Sequence, residues 1–256
     1  MKTHPSVNVL ASDYGYHPSI LALNQSLRPD TPTLRLTLEI NWNPRDPVRS
    51  LSDLETGLLE VCPDLGRHHC RGPAQYHVHA ALRNNAQNGD GREFATQDHL
   101  PFRQRAAGAI EPSLALAHLI EHAMIEAVAF LTDSEKVSGV TGAHRYSVRR
   151  FDVYVECPDH TVGLLARYVG ITWILSLLRR GSFDRAESLA LQGAKLLYNR
   201  RPDSLEPAHA AEVLGIEAEL ARDILDRLEA AGFARRAVYT LNQSGTPHFQ
   251  VSASQV

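Results

Sequence analysis

Residues 112–131, PSLALAHLIEHAMIEAVAFL, constrain this chain more than any other stretch. Pro112 stands where a helix can begin, and the residues after it are apolar on nearly every side. A helix that is greasy all round is buried, so the rest of the chain must close over it. Yet it also carries His118, Glu121, His122 and Glu126. Buried ionisable groups need partners, and the sequence therefore predicts a core helix with chemistry built into it.

The material to cover that helix flanks it on both sides. TLRLTLEI at 33–40 sets Leu34, Leu36, Leu38 and Ile40 against Arg35, Thr37 and Glu39, the period of two of a half-buried strand. Leu51, Leu54, Leu58 and Val61 recur at helical spacing over 49–61. Residues 144–157 read as one strand or a bent pair with Phe151, Val153 and Val155 on one face, and 160–178 as a helix lying over the sheet. The predicted fold class is α+β, a mixed sheet with the buried helix against it. A first domain is expected over residues 1–180, with the polar, turn-rich segment 71–110 as an inserted loop.

Composition shifts after Gly181. Residues 182–199 form an amphipathic helix, and 206–251 then read as helix, turn at Gly215, helix through Ala231, and two short strands around NQSG. That order resembles a winged helix, so 181–256 is expected to be a small accessory domain. Its two helices carry seven acids (Glu206, Glu212, Glu217, Glu219, Asp223, Asp226, Glu229) against Arg222 and Arg227. A surplus of five acids repels a phosphate backbone, and the whole chain, at a formal charge of −3, has no basic excess either. Nucleic acid and membrane surfaces are therefore not expected partners. The apolar set of these helices exceeds what two short helices need alone, which favours packing on the preceding domain or on a second copy, as a homodimer. Three cysteines are too few and too odd for a disulfide framework, and the first residues hold no sustained apolar run, so a cytoplasmic protein is expected.

Seven of the 13 histidines fall between His68 and His122. His118-Leu119-Ile120-Glu121-His122 forms an H-x-x-E-H on the core helix. Four residues turn a helix about 40° past one full circle and climb about 6 Å, so both imidazoles can reach one metal. Glu121 between them suits a carboxylate beside a metal-bound water, acting as general base and then general acid in hydrolysis. Glu126, four residues past His122, is a candidate to accept from a ligand imidazole, or else pairs with an arginine. A catalytic zinc needs about three protein ligands and an open position. His68-His69-Cys70 offers the third: Cys70 as ligand or as buried thiol, His68 as rival ligand or supporting group. Arg145, Arg149 and Arg150 have the guanidinium fork that grips a carboxylate.

Taken together, PDLGRHHC after a Leu-rich helix, LAHLIEHAMIEA, and GAHR leading into FDVYVEC resemble the N-terminal domain of cyanophycin synthetase over about residues 33–180. That domain shows P-G-L-x-E-H-x-C, then H-x-x-E-H-x-x-x-E, then a Gly-x-T-R opening a Y-N-V-V-F-E-Y-like strand. The resemblance implies a zinc-metallopeptidase-like site, with hydrolysis of an isoaspartyl-linked Asp-Arg polymer in some members. By position, Cys70, His118 and His122 match the metal ligands, Glu121 the catalytic acid/base and Arg145 the arginine at the start of the strand. Arg67 stands where the family has Glu, and the 71–110 segment lengthens the gap between Cys70 and the helix.

The expectation is a zinc-dependent hydrolase acting on an amide or isopeptide bond of a peptide or small amide substrate. Its rival is a non-enzymatic metal- or ligand-sensing regulator whose tail binds DNA. A third reading is a family member whose metal site is structural only.

Overall fold

The computed structural model describes residues 5–18, 20, 27, 28, 30–42, 51–62, 112–144, 147, 149–201, 203–235, 240 and 241. The sequence expectations for His68, Cys70, the 71–110 loop, Arg145 and the turn at NQSG lie outside these residues.

The fold is α+β. Strands β1 (Ser6–Gly15) and β2 (Thr33–Asn41) are followed by helix α1 (Leu51–Leu59) and the long α2 (Pro112–Thr132). Then come β3 (Gly139–Ala143), β4 (Arg150–Glu156) and α3 (His160–Arg180). The sheet runs β1-β2-β4-β3, and each of its pairs is antiparallel. The mixed sheet expected from sequence is thus corrected to an antiparallel one: β3 and β4 are joined by a short connection, which only antiparallel neighbours allow. The single strand or bent pair expected over 144–157 is likewise a hairpin whose first strand lies further upstream, at Gly139–Ala143.

Alternation along the strands decides where the core sits. Leu34, Leu36, Leu38, Ile40, Phe151, Val153 and Val155 are each 1% exposed or less, and α2 and α3 lie on that face. Leu54 and Leu58 bring α1 down onto both helices. Gly170 sets how closely α2 and α3 cross, for a Cβ there would stand 2.6 Å from the Met124 side chain and 3.2 Å from the Ile120 carbonyl. By length and composition α2 and α3 are apolar enough to cross a membrane, but 67% and 83% of their apolar windows are buried within the fold. Asp159 opens α3 by accepting from the Val162 amide at 2.9 Å.

The opposite face of the sheet is not the solvated surface that alternation implies. Asp152 and Tyr154 are fully buried there and Glu156 nearly so. Asp152 accepts from Arg35 Nη2 at 2.9 Å and Thr37 Oγ1 at 2.6 Å, and His144 Nε2 stands 3.2 Å from its Oδ1. Glu156 accepts from the backbone amides of Ser138 and Arg28. Buried charge on a strand is tolerated here because each carboxylate has donors.

Beyond α3 the chain forms α4 (Arg185–Asn199), α5 (Pro207–Leu214), α6 (Ala218–Ala230) and a two-stranded antiparallel pair, β5 (Ala234–Arg235) with β6 (Thr240–Leu241). A capping box between Asp184 and Glu187 opens α4. Leu197, Ile224, Leu228 and Phe233 belong to the same apolar cluster as the sheet-facing residues, so the core runs unbroken from the sheet into α6. Arg227 of α6 donates to both oxygens of Asp184 at 3.0 Å, and Lys195 of α4 donates to the Leu131 carbonyl at the end of α2 at 2.9 Å.

Candidate metal centre

Helical spacing on α2 puts His118 and His122 one turn apart on one side, with Glu121 beside them. Their Nε2 atoms are 3.0 Å from each other, and the rings meet edge to face with centroids 4.4 Å apart. A tetrahedral zinc with N distances of about 2.0–2.1 Å would set its two nitrogens about 3.3 Å apart, so the pair fits that ion after a shift of a few tenths of an ångström. Two imidazoles are also the borderline donors that zinc prefers.

Glu121 is buried and lies on the other side of the His118 ring. Its Oε2 is 3.2 Å from His118 Nδ1 and accepts from the Thr141 hydroxyl. Thr141 reaches it because it opposes Val153 in the β3–β4 ladder and so projects to the face that α2 covers. Gly139, two residues earlier on the same face, leaves room for the carboxylate: a Cβ there would stand 2.9 Å from Glu121 Oε1. Burial works to raise the Glu121 pKa. The His118 hydrogen bond, the charges of His118 and His122 and the Thr141 hydroxyl outweigh it, holding the group below the ordinary glutamate value.

Of the residues singled out from sequence, the structure brings His118, Glu121 and His122 together. Glu126 follows one turn later on α2 and is half-buried. Cys70, His68 and Arg145 lie outside the described residues, and among the described residues no third His, Cys, Asp or Glu joins the paired Nε2 atoms as a ligand to one ion, Glu121 lying at the Nδ1 side of His118. Sequence reasoning missed Thr141 and Gly139, whose only trace is the small-residue run GVTGA that overlaps the start of GAHR. It also missed Asp152, where an acid flanked by Phe151 and Val153 gave the signal. Comparison with family models, with curated proteins and with solved structures finds no match for this chain.

Proposed function

We propose that this chain is a zinc-dependent hydrolase of an amide or isopeptide bond, in a peptide or polymer containing Asp and Arg. The observation that carries the reading is the approach of two imidazole Nε2 atoms to 3.0 Å, one of them backed by a buried carboxylate. His118 and His122 hold the ion, with Cys70 as third ligand and His68 as its rival; that third position rests on the family resemblance. When bound, zinc lowers the pKa of a water ligand and polarises a carbonyl. Glu121 takes the proton from the attacking water and returns it to the leaving amine. In the geometry described its Oε2 is engaged with His118 and Thr141, so this role requires the carboxylate to turn toward the substrate. Catalytic hydrogen bonds often tighten only in the loaded complex. Arg145 holds a substrate carboxylate or the developing oxyanion. The setting proposed is the cytoplasm, in keeping with the sparse, odd set of three cysteines.

The test is elemental analysis of protein purified without chelator, followed by hydrolysis assays on isoaspartyl peptides with a basic neighbour. One zinc per chain is expected, absent from a His118→Ala, His122→Ala double variant. Glu121→Gln is expected to load zinc at saturating concentration while turnover falls by about 10²–10⁴-fold. Zinc retained in full by the double variant would sink the ligand assignment, and undiminished turnover in Glu121→Gln would remove the acid/base role.

A further inference from the structure

We propose that Thr141 is a positioning residue for the metal pair: its hydroxyl fixes Glu121, Glu121 accepts from His118 Nδ1–H, and His118 is thereby held with a bare Nε2 facing His122.

A neutral imidazole carries one proton, and which nitrogen holds it is set by what the other nitrogen meets. The partner of His118 Nδ1 is a carboxylate oxygen at 3.2 Å. Glu121 Oε2 has the His118 ring nitrogen on one side and the Thr141 hydroxyl on the other, and a carboxylate oxygen flanked by two groups able to donate accepts from both. With its proton on Nδ1, His118 presents a lone pair at Nε2. Two bare nitrogens would repel at 3.0 Å, so the contact with His122 takes a proton from the His122 side. For the two rings to hold a metal there, His122 would carry its proton on Nδ1 instead, leaving both Nε2 lone pairs for the ion.

The strand, not the helix, supplies the control. Glu121 and His118 share α2, but nothing on α2 is seen to hold the carboxylate from its far side. Thr141 and Gly139 do so from β3, one by a hydrogen bond and the other by the space of a missing Cβ. A hydroxyl donor and an absent side chain, two residues apart on one strand face, make a seat for this carboxylate. Such partners of a ligand histidine typically change metal affinity by 10–100-fold when lost.

The zinc arm of this inference rests on the proposed hydrolase, whereas the tautomer arm does not. Long-range ¹H–¹⁵N correlation spectra of the full chain, stripped with chelator, read the protonated nitrogen of His118 directly, with its signals identified by their loss in His118→Asn. The wild type is expected to show the Nδ1–H form. Thr141→Val, matched in shape but lacking the donor, is expected to give a mixture of tautomers and zinc affinity about 10-fold weaker by competition with a chromophoric chelator. Thr141→Ser, which restores the hydroxyl, is expected to recover both, and this rescue separates positioning from mere packing. An unchanged Nδ1–H form in Thr141→Val, or a wild type protonated at Nε2, would overturn the proposal. If Thr141→Val changes the tautomer in a wild-type background that binds no zinc, the positioning role stands and the zinc reading falls.

Discussion

At the scale of single residues, the buried acids Glu121 and Asp152 are each answered by donors from another element. Glu121 on α2 is answered from β3, and Asp152 on β4 from β2. The space around each acid is as specific as its hydrogen bonds. Gly139→Ala would put a Cβ 2.8 Å from the Tyr154 carbonyl and 2.9 Å from Glu121 Oε1, and since a backbone atom cannot swing aside, β3 itself must move. The expected cost is about 1–3 kcal/mol by urea unfolding; a variant as stable as wild type would show that the seat has slack. Asp152→Ala removes the acceptor of Arg35 and Thr37 from a fully buried position. A loss on the order of 3 kcal/mol is expected, the lower end for breaking a buried pair, because Arg35 is partly exposed and recovers water.

Among the elements, α4 joins the two halves of the chain, and its N-terminus is the junction. Asp184 caps α4 through the Glu187 amide at 2.8 Å and is clasped by Arg227 of α6. Asp184→Ala therefore removes a cap, about 1 kcal/mol by itself, together with the anchor of α6. The Asp184 pKa is lowered: burial works to raise it, and the Glu187 amide and Arg227 outweigh that. A depressed carboxylate stabilises the fold above the unfolded value of about 3.9 and loses that contribution as pH falls through its folded value. Wild type is accordingly expected to exceed Asp184→Asn in stability at neutral pH, the gap closing as pH falls below about 4. A gap independent of pH in chemical denaturation would deny the charge any part.

Viewed as a whole molecule, the continuous core from the sheet to α6 predicts one cooperative unit. Calorimetry of the intact chain is expected to give a single transition, and two separable ones would mean that 181–256 holds itself together independently. Acidic α5 and α6 predict the absence of DNA binding. Fluorescence anisotropy at low salt should show no salt-sensitive binding in the micromolar range, and such binding would promote the regulator reading.

Features that depend on neighbours along the chain are legible in the primary structure. Leucines alternating through TLRLTLEI mark a strand at any address, and His118, Glu121 and His122 share one side of a helix because 3.6 residues make a turn. The all-round apolar run equally required α2 to be buried. What meets Glu121 depends on the folded sheet, since Thr141 comes from a strand 20 residues away whose facing direction is set by its register with β4. Likewise Arg35 and Asp152 are 117 residues apart, and periodicity says which strand residues share a face but not whether that face meets water. Pairing between distant segments is a property of the assembled sheet, and it set a buried Asp152 against Arg35 on a solvated-looking face and brought the Thr141 hydroxyl to Glu121.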